Sequence, residues 1–304
     1  MFSALIENLH NGSWLTLEVS PEKSAAFETV IQRLRSLRLW EKVDGFTVTD
    51  NPLAKLRYGS LFAAIRLQEA FGKPVLATIS MRDRNLLGIQ SDLLGCNEAG
   101  IRAILAVTGD PAHLSDQPRV KGVFDANSME LLKITRHFNR GIDYAGKEID
   151  PAPKPIFPFA VTSAKITQSL KRKMAGKIEN GAIGLISQPI FSIEDADRLL
   201  EVFDEAQSEF SDERRDARLI FGIFPLTRLK TAQFLHAHVP GITIPDRFLS
   251  ALYEANKVSE EREYAVGFEM SFEIFKMLRR RKLPIHIMSS NRFETVNKMI
   301  CSKE

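Results

Sequence analysis

Two spacings of apolar residues alternate along the whole chain. Short runs with a period of two, or continuously apolar, occur at 14–19 (WLTLEV), 45–49, 74–80, 103–109, 156–161, 183–187, 218–224 and 285–288. Between them apolar residues recur every three or four positions, as at 25–39, 58–71, 192–207 and 264–282. The first spacing is that of strands and the second that of amphipathic helices. Eight such units predict an α/β fold: a single (β/α)8 TIM barrel spanning residues 1–304. An open, doubly wound sheet is the alternative, but no glycine-rich fingerprint follows the first strand. A further helix is expected at 242–255, between strands seven and eight and before the last barrel helix. Two turn-rich stretches, 110–125 and 144–155, flank the helix after strand four.

Composition narrows the function classes. The chain has 304 residues, and its formal charge of +3 is no argument for a nucleic-acid partner. The basic runs at 170–173 and 279–282 read as solvated helix faces. Cys96 and Cys301 cannot build a disulfide framework or a thiolate metal site, which fits a reducing, cytoplasmic setting. The first dozen residues carry Glu7 and His10 where a signal peptide has an apolar core. No run approaches the roughly 20 apolar residues of a membrane helix.

A barrel of this kind carries its chemistry where strands run into the following loops. Strand one presents Glu18, which shares a parity with Thr16 and stands just before Pro21. Among apolar neighbours its pKa would rise and suit general acid work; an ion pair at the rim is the plainer alternative. Strand two ends with Thr47, Thr49 and Asp50, the last also suited to capping. Strand three ends with Thr78 and Ser80, followed by Arg82, Asp83 and Arg84, which suit a capped helix start, a phosphate site or both. Strand four ends with Thr108, Gly109 and Asp110 at a tight turn. Strand six ends with Gln188, whose amide can donate and accept at a heterocycle edge. His236 and His238 face different ways on a helix and read as surface residues, whereas His286 lies on a strand. No predicted strand carries a Schiff-base lysine, and no standard nucleotide or nucleophile motif is present.

These stretches resemble the methylenetetrahydrofolate reductase family, in particular the bacterial branch whose reductase domain is often fused to a homocysteine methyltransferase. The resemblance is carried in order by 15–24 (LTLEVSPEKS), 50–57, 82–111 (RDRNLLGIQSDLLGCNEAGIRAILAVTGDP), 122–133, 179–191, 224–245 and 286–294. It implies FAD in the barrel mouth, reduced by NADH or NADPH and reducing methylenetetrahydrofolate to methyltetrahydrofolate. By position it assigns Glu18 as the acid that protonates the folate nitrogen. Asp110 lies near the flavin and pterin, Gln188 at the pterin edge, and Arg292 near the folate tail or the nicotinamide. Thr49, Thr78, Ser80, Thr108, Gly109 and Lys177 fall on the cofactor side. Leu235 and Met288 stand where the family has a folate-stacking aromatic and a tyrosine. Thr78 stands where a histidine is common, and 159–165 (FAVTSAK) also lacks the usual histidine. The resemblance is compatible with a partner subunit supplying electrons, a methyltransferase partner or a homo-oligomer. Two functions are expected from it: a reductase, or a methyltetrahydrofolate-binding protein on the same barrel with weak or no flavin binding.

Overall fold

The computed structural model describes residues 1–210, 216–239 and 241–302. Eight parallel strands close into a barrel in sequence order. They are β1 (Leu15–Val19), β2 (Gly45–Val48), β3 (Val75–Ser80), β4 (Ala103–Val107), β5 (Phe157–Thr162), β6 (Gly184–Pro189), β7 (Arg218–Ile223) and β8 (Ile285–Ile287). The seam pairs Thr16 with His286 and Leu17 with Ile287. Outside the strands lie α1 (Phe2–His10), α2 (Glu28–Ser36), α3 (Leu39–Lys42), α4 (Ser60–Phe71), α5 (Leu86–Glu98) and α6 (Ser128–Phe138). After β5 come α7 (Leu170–Glu179), α8 (Ile193–Gln207), α9 (Leu229–His238), α10 (Asp246–Val258), α11 (Glu260–Arg280) and α12 (Phe293–Cys301). The expected extra helix is α10, packed on α11. The expected helix at 25–39 divides instead, because Arg38 takes a left-handed conformation at φ 50° between α2 and α3.

The alternating parity of the strands sorts the core into two shells. Leu17, Phe46, Ala77, Ile104, Leu185, Phe221 and Ile287 face the helices and join one large apolar cluster. Leu76, Leu105, Phe159, Ile186 and Ile220 face inward and form a second. α1 closes the bottom of the barrel and adds Phe2, Leu5 and Leu9 to that inner cluster. Phe2 stacks on Phe157 at 5.7 Å, and Trp14 lies 5.5 Å from Phe159. Fully burying each such side chain stabilises by about 2 kcal/mol. The lower half of the barrel interior is therefore a packed plug. Among the described residues no helix is long and apolar enough to cross a membrane.

Candidate functional site

At the level of the strands where Leu76, Leu105, Phe159, Ile186 and Ile220 point inward, the inward positions of β1, β2 and β8 are polar. Trp14 Nε1 donates to Thr16 Oγ1 at 3.0 Å. Thr16 Oγ1 lies 2.9 Å from His286 Nδ1, and His286 Nε2 lies 3.3 Å from Thr47 Oγ1. Burial lowers the His286 pKa to about 3, so the ring is neutral. The Thr16 hydroxyl already accepts from Trp14, and its proton has His286 Nδ1 as partner. His286 then carries its hydrogen on Nε2 and donates it to Thr47. A neutral, hydrogen-bonded floor results.

One step above that floor stands Glu18, paired in register with Thr47. Burial raises its pKa from 4.5 to about 7, and among the described residues no cation opposes the shift. The rim ion pair is thus not what this carboxyl makes. Burial thus lets Glu18 keep a proton toward neutral pH that an exposed glutamate would have released, as a general acid requires.

Glu18 opens on a cavity of about 680 Å³ at the C-terminal face, also lined by Thr49, Asp110, Leu235 and Met288. These five expected site residues therefore converge. Phe224, Phe234 and Ile242 add apolar wall, and Lys23, Arg33, Lys55 and Arg57 add cations. Asp110 Oδ2 accepts from Leu53 N at 2.6 Å. That bond holds a loop in which Asn51, Leu53 and Ala54 all have positive φ, a concentration of backbone strain at the cavity edge. Opposite, Asn291 accepts from Ser20 N at 2.9 Å and donates to Ser20 O at 2.6 Å. This clamp ties the loops after β1 and β8 together. Sequence reasoning passed over Asn291, although an asparagine in a turn-rich Ser-Ser-Asn stretch between a strand and a helix is the kind of residue whose side chain bonds backbone.

The remaining expected residues lie elsewhere. Arg292 donates to Thr231 at 3.0 Å and Thr227 at 3.4 Å, bracing α9 beside the cavity. Gln188 packs against Gly241, where a Cβ would meet its Oε1 at 2.5 Å. It lines a separate cleft of about 390 Å³ together with Lys177. Lys177 Nζ donates to Val161 O at 2.5 Å, and burial first, with Lys173 second, lowers its pKa to about 8. Thr108 is exposed, 3.4 Å from Ser128 Oγ. Thr78 and Ser80 are buried.

The mouth over β3 and β4 is filled by the protein itself. Asp50 is a network centre rather than a simple cap, accepting from Ser80 N at 3.0 Å and Arg84 Nη1 at 2.6 Å. Arg84 also reaches Asp92 at 2.8 Å. Arg82 is forked onto Asp83 at 2.7 and 2.5 Å. Both arginines are thereby committed to carboxylates, which removes the free cation that a phosphate site after β3 would need. Gly109, at φ +94°, lies where a Cβ would sit 2.2 Å from Ser80 Oγ. Its lack of a side chain serves the packing of this chain on itself. Val123 N and Phe124 N bond to Arg82 O and Met81 O, drawing the loop after β4 across the end of β3.

An FAD ring would need open space and unpaired donors at that place. Ser80, Gly109, Arg82 and Arg84 provide neither, so these four residues do not form its cradle.

No curated protein sequence matches the chain. Among solved structures, an uncharacterized protein from Clostridium thermocellum that binds two copies of 5-methyl-5,6,7,8-tetrahydrofolic acid superposes with a TM-score of 0.65 at 15% identity. The match covers 99% of this chain and 98% of that one. A 2,3-dimethylmalate lyase of the PEP mutase/isocitrate lyase superfamily matches at a TM-score of 0.47 and 11% identity, covering 97% and 81% of the two chains. The first likeness supports the barrel, and the second is too distant to add to it. The profile of the methylenetetrahydrofolate reductase family matches residues 4–304, and the chain belongs to that family.

Proposed function

We propose that the cavity above Glu18 binds a tetrahydrofolate and that the protein reduces 5,10-methylenetetrahydrofolate to 5-methyltetrahydrofolate with hydride from NADH or NADPH. The observation that carries this reading is Glu18 itself, a carboxyl whose pKa burial raises to about 7, at the base of a cavity of about 680 Å³. The reaction needs a proton on the nitrogen that leaves as the five-membered ring opens, and a protonated carboxyl supplies it at neutral pH. The resulting iminium carbon accepts hydride. Leu235 and Met288 supply apolar walls for a flat ring system, and Asp110 supplies an acceptor to its polar edge. The neutral His286 floor lets the carboxyl keep its proton, since a cation there would favour the ionised form.

Methyltetrahydrofolate binding without reduction is the second reading. It is favoured by the filled mouth over β3 and β4 and by the ligand of the Clostridium thermocellum neighbour. Incubation with methylenetetrahydrofolate and each reduced nicotinamide, with the folate product identified by mass, separates the two. A product two mass units heavier is expected. Tight binding of methyltetrahydrofolate with no turnover would establish the second reading instead. Absence of any folate binding would remove both.

A further inference from the structure

We propose that the hydride donor itself docks beside the Glu18 cavity, its pyrophosphate held by Lys173 and Lys177, and passes hydride straight to the folate with no flavin between them. This rests on the reductase reading above and specifies how the electrons arrive.

The argument starts from the cleft of about 390 Å³ between β5 and β6, lined by Lys173, Lys177, Thr162, Ser163 and Thr167. Two lysines face it, and neither forms an ion pair with a carboxylate among the described residues. Lys177 has only the Val161 carbonyl, at 2.5 Å. Lys171, their neighbour in sequence, differs by pairing with Glu205 at 3.8 Å and Glu209 at 3.2 Å. Two adjacent cations without a counter-ion disfavour each other, and burial sharpens that cost. A bound anion relieves it. Lysines beside threonine and serine hydroxyls are donor chemistry for phosphate oxygens.

A pyrophosphate arrives on a flavin dinucleotide or on a nicotinamide dinucleotide. The two differ in the ring that must be seated. The ends of β3 and β4 are closed by Ser80 against Gly109 and by the Arg82 and Arg84 ion pairs. The cleft, by contrast, neighbours the Glu18 cavity along two stretches of chain. Gln188 and Gly241 line the cleft, while their chain neighbours Pro189 and Ile242 line the cavity. A dinucleotide held by its pyrophosphate in the cleft thus has the folate cavity as its next open space.

The step balances without a further redox partner. The C4–H bond of the dihydronicotinamide breaks, and its hydrogen and electron pair go to the iminium carbon. The nicotinamide is oxidised and the methylene carbon becomes a methyl. The proton on the departing nitrogen comes from Glu18, which regains one from water. Both substrates must be bound together, so the kinetics are sequential rather than ping-pong.

The test uses the purified, full chain with NADH or NADPH carrying deuterium at the transferred C4 position, in ordinary water. Direct transfer predicts one deuterium retained in the product methyl, intersecting initial-rate lines, and turnover by colourless protein. A reduced flavin would exchange its N5 hydrogen with water. Label lost to solvent, with parallel lines and turnover that requires bound flavin, would overturn the proposal and leave the reductase reading intact. Absence of turnover with either dinucleotide would overturn both. Lys173→Ala and Lys177→Met should each raise the KM for the dinucleotide about tenfold, the loss of one charge-assisted contact, with folate affinity unchanged. An unchanged dinucleotide KM in both variants would overturn the cleft assignment even if label is retained.

Discussion

The two halves of the barrel mouth place buried carboxylates in opposite circumstances. Over β1, β2 and β8, Glu18 stands above a neutral floor and beside open space, with its pKa raised to about 7. Over β3 and β4, Asp50 is buried and meets Arg84 at 2.6 Å, and the space around it is occupied. The same residue class is therefore left able to hold a proton beside open space in one half and ties loops together in the other. What separates the cases is the presence of a cation. A buried charge with a partner is structural, and a buried acid without one is left to hold a proton.

The largest effect should come from removing the acid. Glu18→Gln should lower folate reduction about a thousandfold, in the range of a lost general acid, while methyltetrahydrofolate still binds. Rapid-quench turnover set beside equilibrium binding measures this. A rate within tenfold of the parent would place the acid elsewhere.

The paired half should respond in stability rather than rate. Asp50→Ala leaves Arg84 with Asp92 as its one carboxylate and the Ser80 N–H without its acceptor, and should cost about 3 kcal/mol of unfolding free energy. Urea denaturation would show it, and a cost under about 1 kcal/mol would mean that the ion pairs do not support this mouth.

A smaller effect sharpens the contrast through pH. Unfolded Glu18 ionises near 4.5 and folded Glu18 near 7. Between those values the folded protein keeps a proton that the unfolded chain has released, so stability falls as pH rises through that window. Compared with Glu18→Gln, the parent should lose about 2 kcal/mol between roughly pH 4 and pH 8, allowing for partial solvent access from the cavity. Paired urea titrations at the two pH values check the sign, and a parent that gained stability would show that Glu18 has a hidden cationic partner.

Much of this was legible in the chain. Eight strands were visible because each buried face imposes its own period, and the shared parity of Thr16 and Glu18 already turned both toward the interior. The extra helix at 242–255 was visible for the same reason. Long-range pairings were not. Nothing near Asp50 in sequence announces Arg84, 34 positions away, or shows that Gly109 makes room for Ser80. Gln188 shares the inward parity, yet its amide packs against Gly241, 53 positions away in sequence. The plug formed by α1 was missed as well. Its partners are spread over five strands, and only closure of the ring brings them together.

That closure has a kinetic consequence. The Thr16–His286 contact spans 270 residues, and with it the β1–β8 seam. Contacts of such separation carry a high loop entropy and tend to form late. Glu18 sits beside this seam, so its proton affinity should be among the last properties to mature during refolding. Partly assembled chains would have most of their strands in place and an ordinary carboxylate at position 18.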